Sequence, residues 1–328
     1  METKQPLLSI CIPTYNRASV LKDCLCSLVQ ADGFSDEVEV VISDNCSTDE
    51  TQQIVKTFAE KNPNIRYYRN DCNVGADRNI LIALERGTGI FLKLSNDYNL
   101  FKKNSISFIL KVVRLHLQVK PVLYFHNHMD KGKTYETTSF DEFLCYEKLG
   151  IGWIGNYGYW KEDFLSFENK DAYTYTQFQQ IDWLVRSFLK KRKIFCYNEP
   201  IFIIGGCRVK TGAYNFIEAH AKNFFIPLNT LYESNALSLT SIEETKKYAL
   251  YFCTWIQIRS IFLNRKYFSF STENGWGILK QQFGQYAWYK KTLLKGIVFA
   301  LIAMPYERLS LFTKRAILNI RSFVLSKQ

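Results

Sequence analysis

The chain has 328 residues, 47% of them hydrophobic and 22% charged, enough apolar content for one large core or two modest ones and too much for an intrinsically disordered chain. Its net charge of +11 is concentrated, since residues 280 to 328 hold nine Lys or Arg against a single acid, Glu307. Nine cysteines, an odd count scattered without paired metal spacing, argue against a disulfide framework or a zinc knuckle and for thiols in a reducing compartment.

Met1 to Pro6 is polar and leads straight into a strand, so no leader peptide is expected. Leu7 to Ile12 is a short apolar run closed by Pro13, which has no amide to give a ladder. After the loop Thr14-Tyr15-Asn16-Arg17, apolar residues at Val20, Leu21, Cys24, Leu25 and Leu28 predict a helix over 18–30. A strand over 38–43 ends in the polar run Asp44-Asn45-Cys46-Ser47-Thr48-Asp49, followed by a helix over 51–61. A third strand over 65–69, the turn Asn73-Val74-Gly75 and a helix over 76–86 come next, and Gly87-Thr88-Gly89 breaks that helix. Ile90 to Asp97 reads as a central strand that ends in a short acidic turn. Strands alternating with helices imply an α/β fold with a mostly parallel central sheet. Ligands of such sheets sit beyond the carboxyl ends of the strands, where Thr14-Tyr15, Asp44-Asn45 and Asn96-Asp97 all fall.

The four motifs Pro13-Thr-Tyr-Asn-Arg17, Asp44-Asn-Cys-Ser-Thr-Asp49, Asn73-Val-Gly-Ala-Asp-Arg-Asn79 and Ser95-Asn96-Asp97, in this order, resemble those of family 2 glycosyltransferases with the GT-A (nucleotide-diphospho-sugar transferase) fold. Abequosyltransferase-like enzymes of bacterial O-antigen and capsule assembly are the nearest in character, and the likeness covers the first third of the chain. It implies a nucleotide-sugar donor, UDP-linked by preference, held by Pro13, Tyr15, Asn16, Arg17, Asp44, Asn45, Asp77, Arg78, Ser95 and Asn96. Tyr15 would offer a flat face to the base and Asp44 an acceptor for its ring N–H, while capping the sheet and opening an Asx turn are the structural alternatives. Asp49 is equally well explained as a helix cap, and Arg78 as a surface ion pair. The resemblance also implies a divalent ion on the diphosphate, which wants hard anionic oxygens. Here the only carboxylate in the central turn is Asp97, so the expectation is Mn²⁺ or Mg²⁺ held weakly.

Farther along, helices are expected over 101–119 and up to about residue 193, with strands over 121–126 and 201–204. His126 and His128 flank Asn127 on a strand and carry no assignment. The Gly- and aromatic-rich run Ile151 to Trp160 suits an acceptor wall, with Trp153 and Tyr157 as its rings. An inverting transferase needs a base for the acceptor hydroxyl, and the resemblance places it at Asp182, with Glu162, Asp163 and Asp171 as rivals. Gly205 to Gly212, carrying Arg208 and Lys210, is either a loop over the diphosphate or a solvated loop.

Residues 1–212 are therefore expected to form the catalytic domain and 213–328 a C-terminal helical appendage, with helices over 257–268, 278–294 and 308–325. The apolar run 296–304 ends at Pro305 and is shorter than the roughly 20 residues that span a bilayer, while basic residues interleave with aliphatics around it. That pattern suits a peripheral position on an anionic cytoplasmic membrane face, with helix docking onto the catalytic domain as the alternative and nucleic acid disfavoured. The expected activity is transfer of a sugar to a hydroxyl of a glycan or lipid-linked glycan. A catalytically degenerate scaffold that binds a nucleotide sugar without turnover is the second reading.

Overall fold

The sheet is centred on β1 (Leu8–Thr14), whose residues are buried almost without exception because helices cover both of its faces. The computed structural model describes residues 5–126, 134–203, 214–262 and 270–303. After β1 come α1 (Ala18–Val29), β2 (Val38–Asp44), α2 (Thr51–Lys61), β3 (Ile65–Arg69), α3 (Ala76–Arg86) and β4 (Phe91–Leu94). Then follow β5 (Leu100–Phe101), α4 (Ser105–Leu115), β6 (Val122–Phe125), β7 (Tyr135–Thr137), α5 (Phe140–Glu147), β8 (Tyr157–Trp160), α6 (Lys161–Leu165), α7 (Gln179–Lys191), β9 (Ile194–Tyr197) and β10 (Phe202–Ile203). Eight strands form the main sheet in the order β3-β2-β1-β4-β8-β6-β9-β7. β1, β2, β3 and β4 are mutually parallel, β6 is parallel to β9, and β8 runs antiparallel between β4 and β6. Leu8, Ile10 and Ile12 pack with Leu21, Leu25 and Leu28 of α1 and Ile106 and Ile109 of α4 in one core cluster.

Register fixes the site. Thr14 lies opposite Asp44, and Cys11 opposite Leu94. Ser95 continues the second pairing by donating its N–H to the Cys11 carbonyl at 3.0 Å. The chain beyond β4 therefore runs level with the end of β1.

Two expectations are corrected. The helix expected from residue 101 starts at Ser105, because Leu100–Phe101 pairs antiparallel with Phe202–Ile203. For the same reason the strand expected over 201–204 is seen, within the described residues, as Phe202–Ile203 in a separate two-stranded ribbon rather than in the main sheet.

The chain divides into two compact units, one holding the described residues up to 203 together with 223–241, the other holding 214–222 and 242–303. The returning segment of the first unit carries α9 (Asn229–Glu233; α8 precedes it in the chain) and buries Phe224, Leu228 and Leu231. The second unit contains α8 (Phe216–Ala221), α10 (Leu239–Phe262, from residue 242), α11 (Gly275–Phe283) and α12 over 289–303. Asn215 caps α8 by accepting the Ile217 and Glu218 N–H groups at 3.0 and 3.1 Å. Residues 257–262 of the helix expected over 257–268 are the end of this longer α10, with 263–268 outside the described residues, and the one over 278–294 is split where Gly284 closes α11. His128, the loop 205–212 and the helix over 308–325 lie outside the described residues.

Candidate functional site

Three strand ends meet around Thr14. Its hydroxyl donates to Asp97 Oδ2 at 2.9 Å, while Asp44 is its register partner on the other side. Thr14, Asp44 and Asp97 are all buried. Asp97 receives a second contact, Arg17 Nη1 at 2.9 Å from Oδ1. Burial pushes the Asp97 carboxyl above the ordinary range, and Arg17 and Thr14 oppose that shift by favouring the charged form.

Asp44 accepts the Ser47 N–H at 2.9 Å and the Ser47 hydroxyl at 2.5 Å on one oxygen, and the Tyr67 hydroxyl at 2.5 Å on the other. The turn geometry weighed for Asp44 is thus present. Asn16, held at φ 51°, accepts the Thr48 N–H at 2.7 Å and donates its own N–H to the Ser47 hydroxyl at 2.8 Å, so the loops after β1 and β2 are stitched together. Tyr15 is 41% exposed at this junction, an open aromatic face suited to stacking. Pro13 lies opposite Ser43 near the end of β1.

Asn45 is a structural pin. Its side chain bonds Asn73 (2.8 Å), the Gly75 carbonyl (3.2 Å), Asn70 (3.2 Å) and the Val74 N–H (2.9 Å), which fixes the turn into α3. Gly75 sits at φ 86°, a conformation that favours glycine. Asp49 accepts the Ala18 N–H at 2.9 Å and the Thr51 hydroxyl at 2.6 Å, joining the starts of α1 and α2. Burial pushes its pKa up, yet these hydrogen bonds outweigh burial and hold the carboxyl below the ordinary range.

Asp77 and Arg78 tie the start of α3 to the segment before α7. Arg78 pairs with Asp171 at 2.6 Å, with both side chains about half exposed. Asp77 accepts the Gln177 N–H on its carboxylate and the Gln179 amide on its carbonyl. Burial pushes the Asp77 carboxyl up to about 7.

Around the central turn, Trp153 reaches the Tyr98 hydroxyl with its indole and sets its ring edge on Phe202. Asn96 Nδ2 is buried with no hydrogen-bond partner among the described residues. Tyr157 is not brought to the cleft: it is 1% exposed, edge-on to Tyr124 and stacked on Tyr159, and so belongs to the core. Asp182, in the first turn of α7, is also buried, with Arg186 Nε 2.9 and 3.0 Å from its two oxygens. Burial raises its pKa and Arg186 opposes the rise. Of its rivals, Asp163 pairs with Lys190 and Lys191, Glu162 with Lys120, and Asp171 with Arg78. His126 meets Glu147 at 2.7 Å.

One residue of the site and one buried residue of β4 escape the sequence reading. Thr14 looks like one more loop residue until strand register sets it between two acids. Lys93 is fully buried on β4, donating to the Leu94 and Gly155 carbonyls at 2.9 and 2.6 Å; its signal is a lone cation inside Phe91-Leu-Lys-Leu94. Burial pushes the Lys93 ammonium down from 10.5 to about 7. Between those values the unfolded chain binds a proton that the folded chain does not. The Lys93 contribution to stability therefore rises with pH across that window, by up to about 1.4 kcal/mol per pH unit. Lys93→Met is expected to remove the rise. Denaturation midpoints of both proteins at several pH values above neutrality test this, and a wild-type minus variant difference that stays flat refutes it.

Among the described residues, no three His, Cys, Asp or Glu side chains gather as a metal-holding group. The profile of the family described as Glycosyl transferase family 2 matches residues 9–139. The chain is 31% identical over 127 residues to Abequosyltransferase RfbV of Salmonella typhimurium, covering 38% of this chain and 37% of that protein. It is 34% identical over 93 residues to the Poly(ribitol-phosphate) beta-N-acetylglucosaminyltransferase TarS of Staphylococcus aureus, covering 27% and 16%. The chain thus spans little more than a third, or less, of these curated relatives. Among solved structures it resembles S. aureus TarS 1-349 in complex with UDP-GlcNAc, at 16% identity and TM-score 0.50 over 92% of each chain. It also resembles the mannosyltransferase PcManGT from Pyrobaculum calidifontis in complex with GDP-Man and Mn²⁺, at 13% identity and TM-score 0.52 over 93% and 88%. Residues 9–139 thus match the family 2 glycosyltransferase model, and the architecture around them is the GT-A fold.

Proposed function

We propose that this chain transfers a sugar from a nucleotide diphosphate, UDP-linked by preference, to a hydroxyl of a glycan or lipid-linked glycan in bacterial O-antigen or capsule-type polysaccharide synthesis, with inversion. The observation that carries the proposal is the meeting of Asp44 and Asp97 on either side of Thr14 at the carboxyl ends of β2, β1 and the chain after β4. Ligands of such sheets lie beyond the strand ends, and one elongated ligand could lie along both of these. Tyr15 supplies an exposed face for the base, and the orphan Asn96 amide is a donor awaiting an acceptor such as a sugar or ribose oxygen. UDP-GlcNAc in the TarS complex and GDP-Man in the mannosyltransferase complex support a nucleotide-sugar donor.

Transfer would be a single in-line displacement in which the acceptor hydroxyl attacks the anomeric carbon, loses its proton to a carboxylate, and releases the diphosphate. Asp182 is the candidate base. Its helix is anchored at the start of α3 through Gln177 and Gln179, and burial favours its proton-holding form. Asp182→Asn is expected to abolish transfer and keep donor binding; surviving transfer would move the base to another residue. Trp153, beside the central turn, is the acceptor-side ring of this proposal.

Among the described residues, the divalent ion expected at Asp97 finds no fitting donor set, because both oxygens of the lone carboxylate are already engaged by Thr14 and Arg17. That same engagement favours one other reading, a scaffold that binds a nucleotide sugar without turnover. Incubation with UDP-sugars and acceptor glycolipid separates the two: UDP release supports transfer, and ligand-dependent thermal stabilisation without release supports the scaffold.

The proposal includes docking on an anionic cytoplasmic membrane face. No helix of the described residues is long and apolar enough to cross a membrane. α12 instead exposes Leu294, Val298, Leu301 and Ile302 alongside Lys290, Lys291 and Lys295, a mixture suited to an interfacial helix. Val298→Asp combined with Leu301→Asp is expected to abolish co-sedimentation with phosphatidylglycerol vesicles, and unchanged binding would refute the assignment to α12.

A further inference from the structure

The engagement of Asp97 has a specific chemical meaning. Its Oδ2 accepts the Thr14 hydroxyl at 2.9 Å and its Oδ1 lies 2.9 Å from Arg17 Nη1, while the carboxylate side chain is only 2% exposed. Two neutral oxygens nearby, the Asn96 backbone carbonyl and the Ser95 hydroxyl, are also in hydrogen bonds. The Asn96 carbonyl accepts the Asn99 N–H at 3.3 Å and the Ser95 hydroxyl at 3.2 Å, and the Ser95 oxygen accepts the Asn99 amide at 3.3 Å. A hard cation would therefore have to displace Arg17 or Thr14 to reach the one carboxylate of the turn. Arg17 differs from its partner in exposure: its side chain is 23% exposed. A guanidinium carries five N–H donors in a planar fork, and Nη1 is the nitrogen bonded to Asp97.

Resting on the donor site proposed above, we propose that Arg17 takes the place of the divalent ion in this protein, and that the donor diphosphate binds and departs against its guanidinium without metal. Asp97 is then a positioning residue that aims Arg17. The exposed edge of the fork matches two phosphate oxygens, a geometry that arginine meets and a lysine ammonium does not. When the acceptor oxygen bonds the anomeric carbon, the bond from that carbon to the β-phosphate oxygen breaks and its electron pair stays on the phosphate. The guanidinium meets that charge, and the acceptor's proton goes to the carboxylate base.

The test is calorimetric titration of UDP into the full chain after chelator treatment, with and without added Mn²⁺, with the free Mn²⁺ signal followed by electron paramagnetic resonance. Wild type is expected to bind UDP in chelator with an affinity that Mn²⁺ changes less than about 2-fold, and to leave the Mn²⁺ signal undiminished. Arg17→Ala is expected to weaken UDP binding in chelator by about 10- to 100-fold, the range of one or two charge-assisted hydrogen bonds. Mn²⁺ is expected to recover part of that loss, because Asp97 is freed. Arg17→Lys, which keeps the charge and loses the fork, should fall between. Asp97→Asn is expected to lose less than Arg17→Ala and to remain indifferent to Mn²⁺. UDP binding by wild type only when Mn²⁺ is present, with the Mn²⁺ signal lost on UDP addition, overturns the metal-free assignment and leaves the donor site standing. Unchanged UDP affinity of folded Arg17→Ala in chelator overturns the role of Arg17. Absence of UDP binding by wild type under both conditions overturns the inference and the UDP donor site together.

Discussion

Asp44→Ala is expected to abolish detectable UDP binding and to lower folding stability by about 3 kcal/mol, because buried donors left without a partner cost about 1–3 kcal/mol each and hydroxyls recover part of this by rotating. The carboxylate is fully buried and is the common acceptor of the Ser47 N–H, the Ser47 hydroxyl and the Tyr67 hydroxyl. The same loss loosens the loop that Asn16 shares with Ser47 and Thr48, next to Tyr15 in the chain. Asp44→Asn, which returns one acceptor oxygen at nearly the same volume, is expected to recover more of the stability than of the binding. Urea denaturation and UDP titration of both variants check the pair. A folded Asp44→Ala that binds UDP like wild type would remove Asp44 from the donor site.

Gly158→Ala is expected to destabilise the protein by about 3 kcal/mol or to prevent folding, since overpacking a filled core costs about 1–3 kcal/mol and sometimes more. A Cβ at this position would fall well inside contact distance of the Phe91 ring edge. Phe91 cannot yield easily, since it is fully buried and edge-on to Trp160 at 5.0 Å and to Phe125 at 6.3 Å. The backbone of Gly158 is paired on both sides, to Lys93 and to Leu123. Shortening the ring should relieve the clash, so Phe91→Leu is expected to cost less in the Gly158→Ala background than in wild type. A double-mutant cycle reads that coupling directly, and additive effects would disprove the clash.

The first hundred residues were legible because each strand was bounded by turn chemistry and each helix carried its own period. The helices Thr51–Lys61 and Ala76–Arg86 and the strand Ile65–Arg69 lie where the sequence places them. Recognition of the family and of the α/β fold followed from those motifs. What escaped was set by contacts distant in sequence. Nothing near Leu100 announces its pairing with Ile203, and nothing near Tyr157 announces that Tyr124 and Tyr159 enclose it. An aromatic, Gly-rich run reads alike as a ligand wall and as a packed corner, and only tertiary burial separates the two. Asp97 was visible as a lone acid in a turn, whereas its partner Arg17, 80 residues away, could be found only once β1 and β4 were aligned. In the tail, the bulky residues of α10 fit several helical frames, which blurred where that helix begins.

One consequence of the chain's path concerns how it can be dissected. The polypeptide leaves the sheet-bearing unit, contributes residues 214–222 to the helical one, and comes back over 223–241 before departing for good. No single cut yields both halves intact. A fragment stopped at residue 212 would be stripped of Phe224, Leu228 and Leu231, three side chains sealed within the first unit, and would expose the apolar sockets they fill. Evolutionary swaps of the tail alone would thus have to begin after residue 241, leaving the detour itself as the common inheritance of both parts.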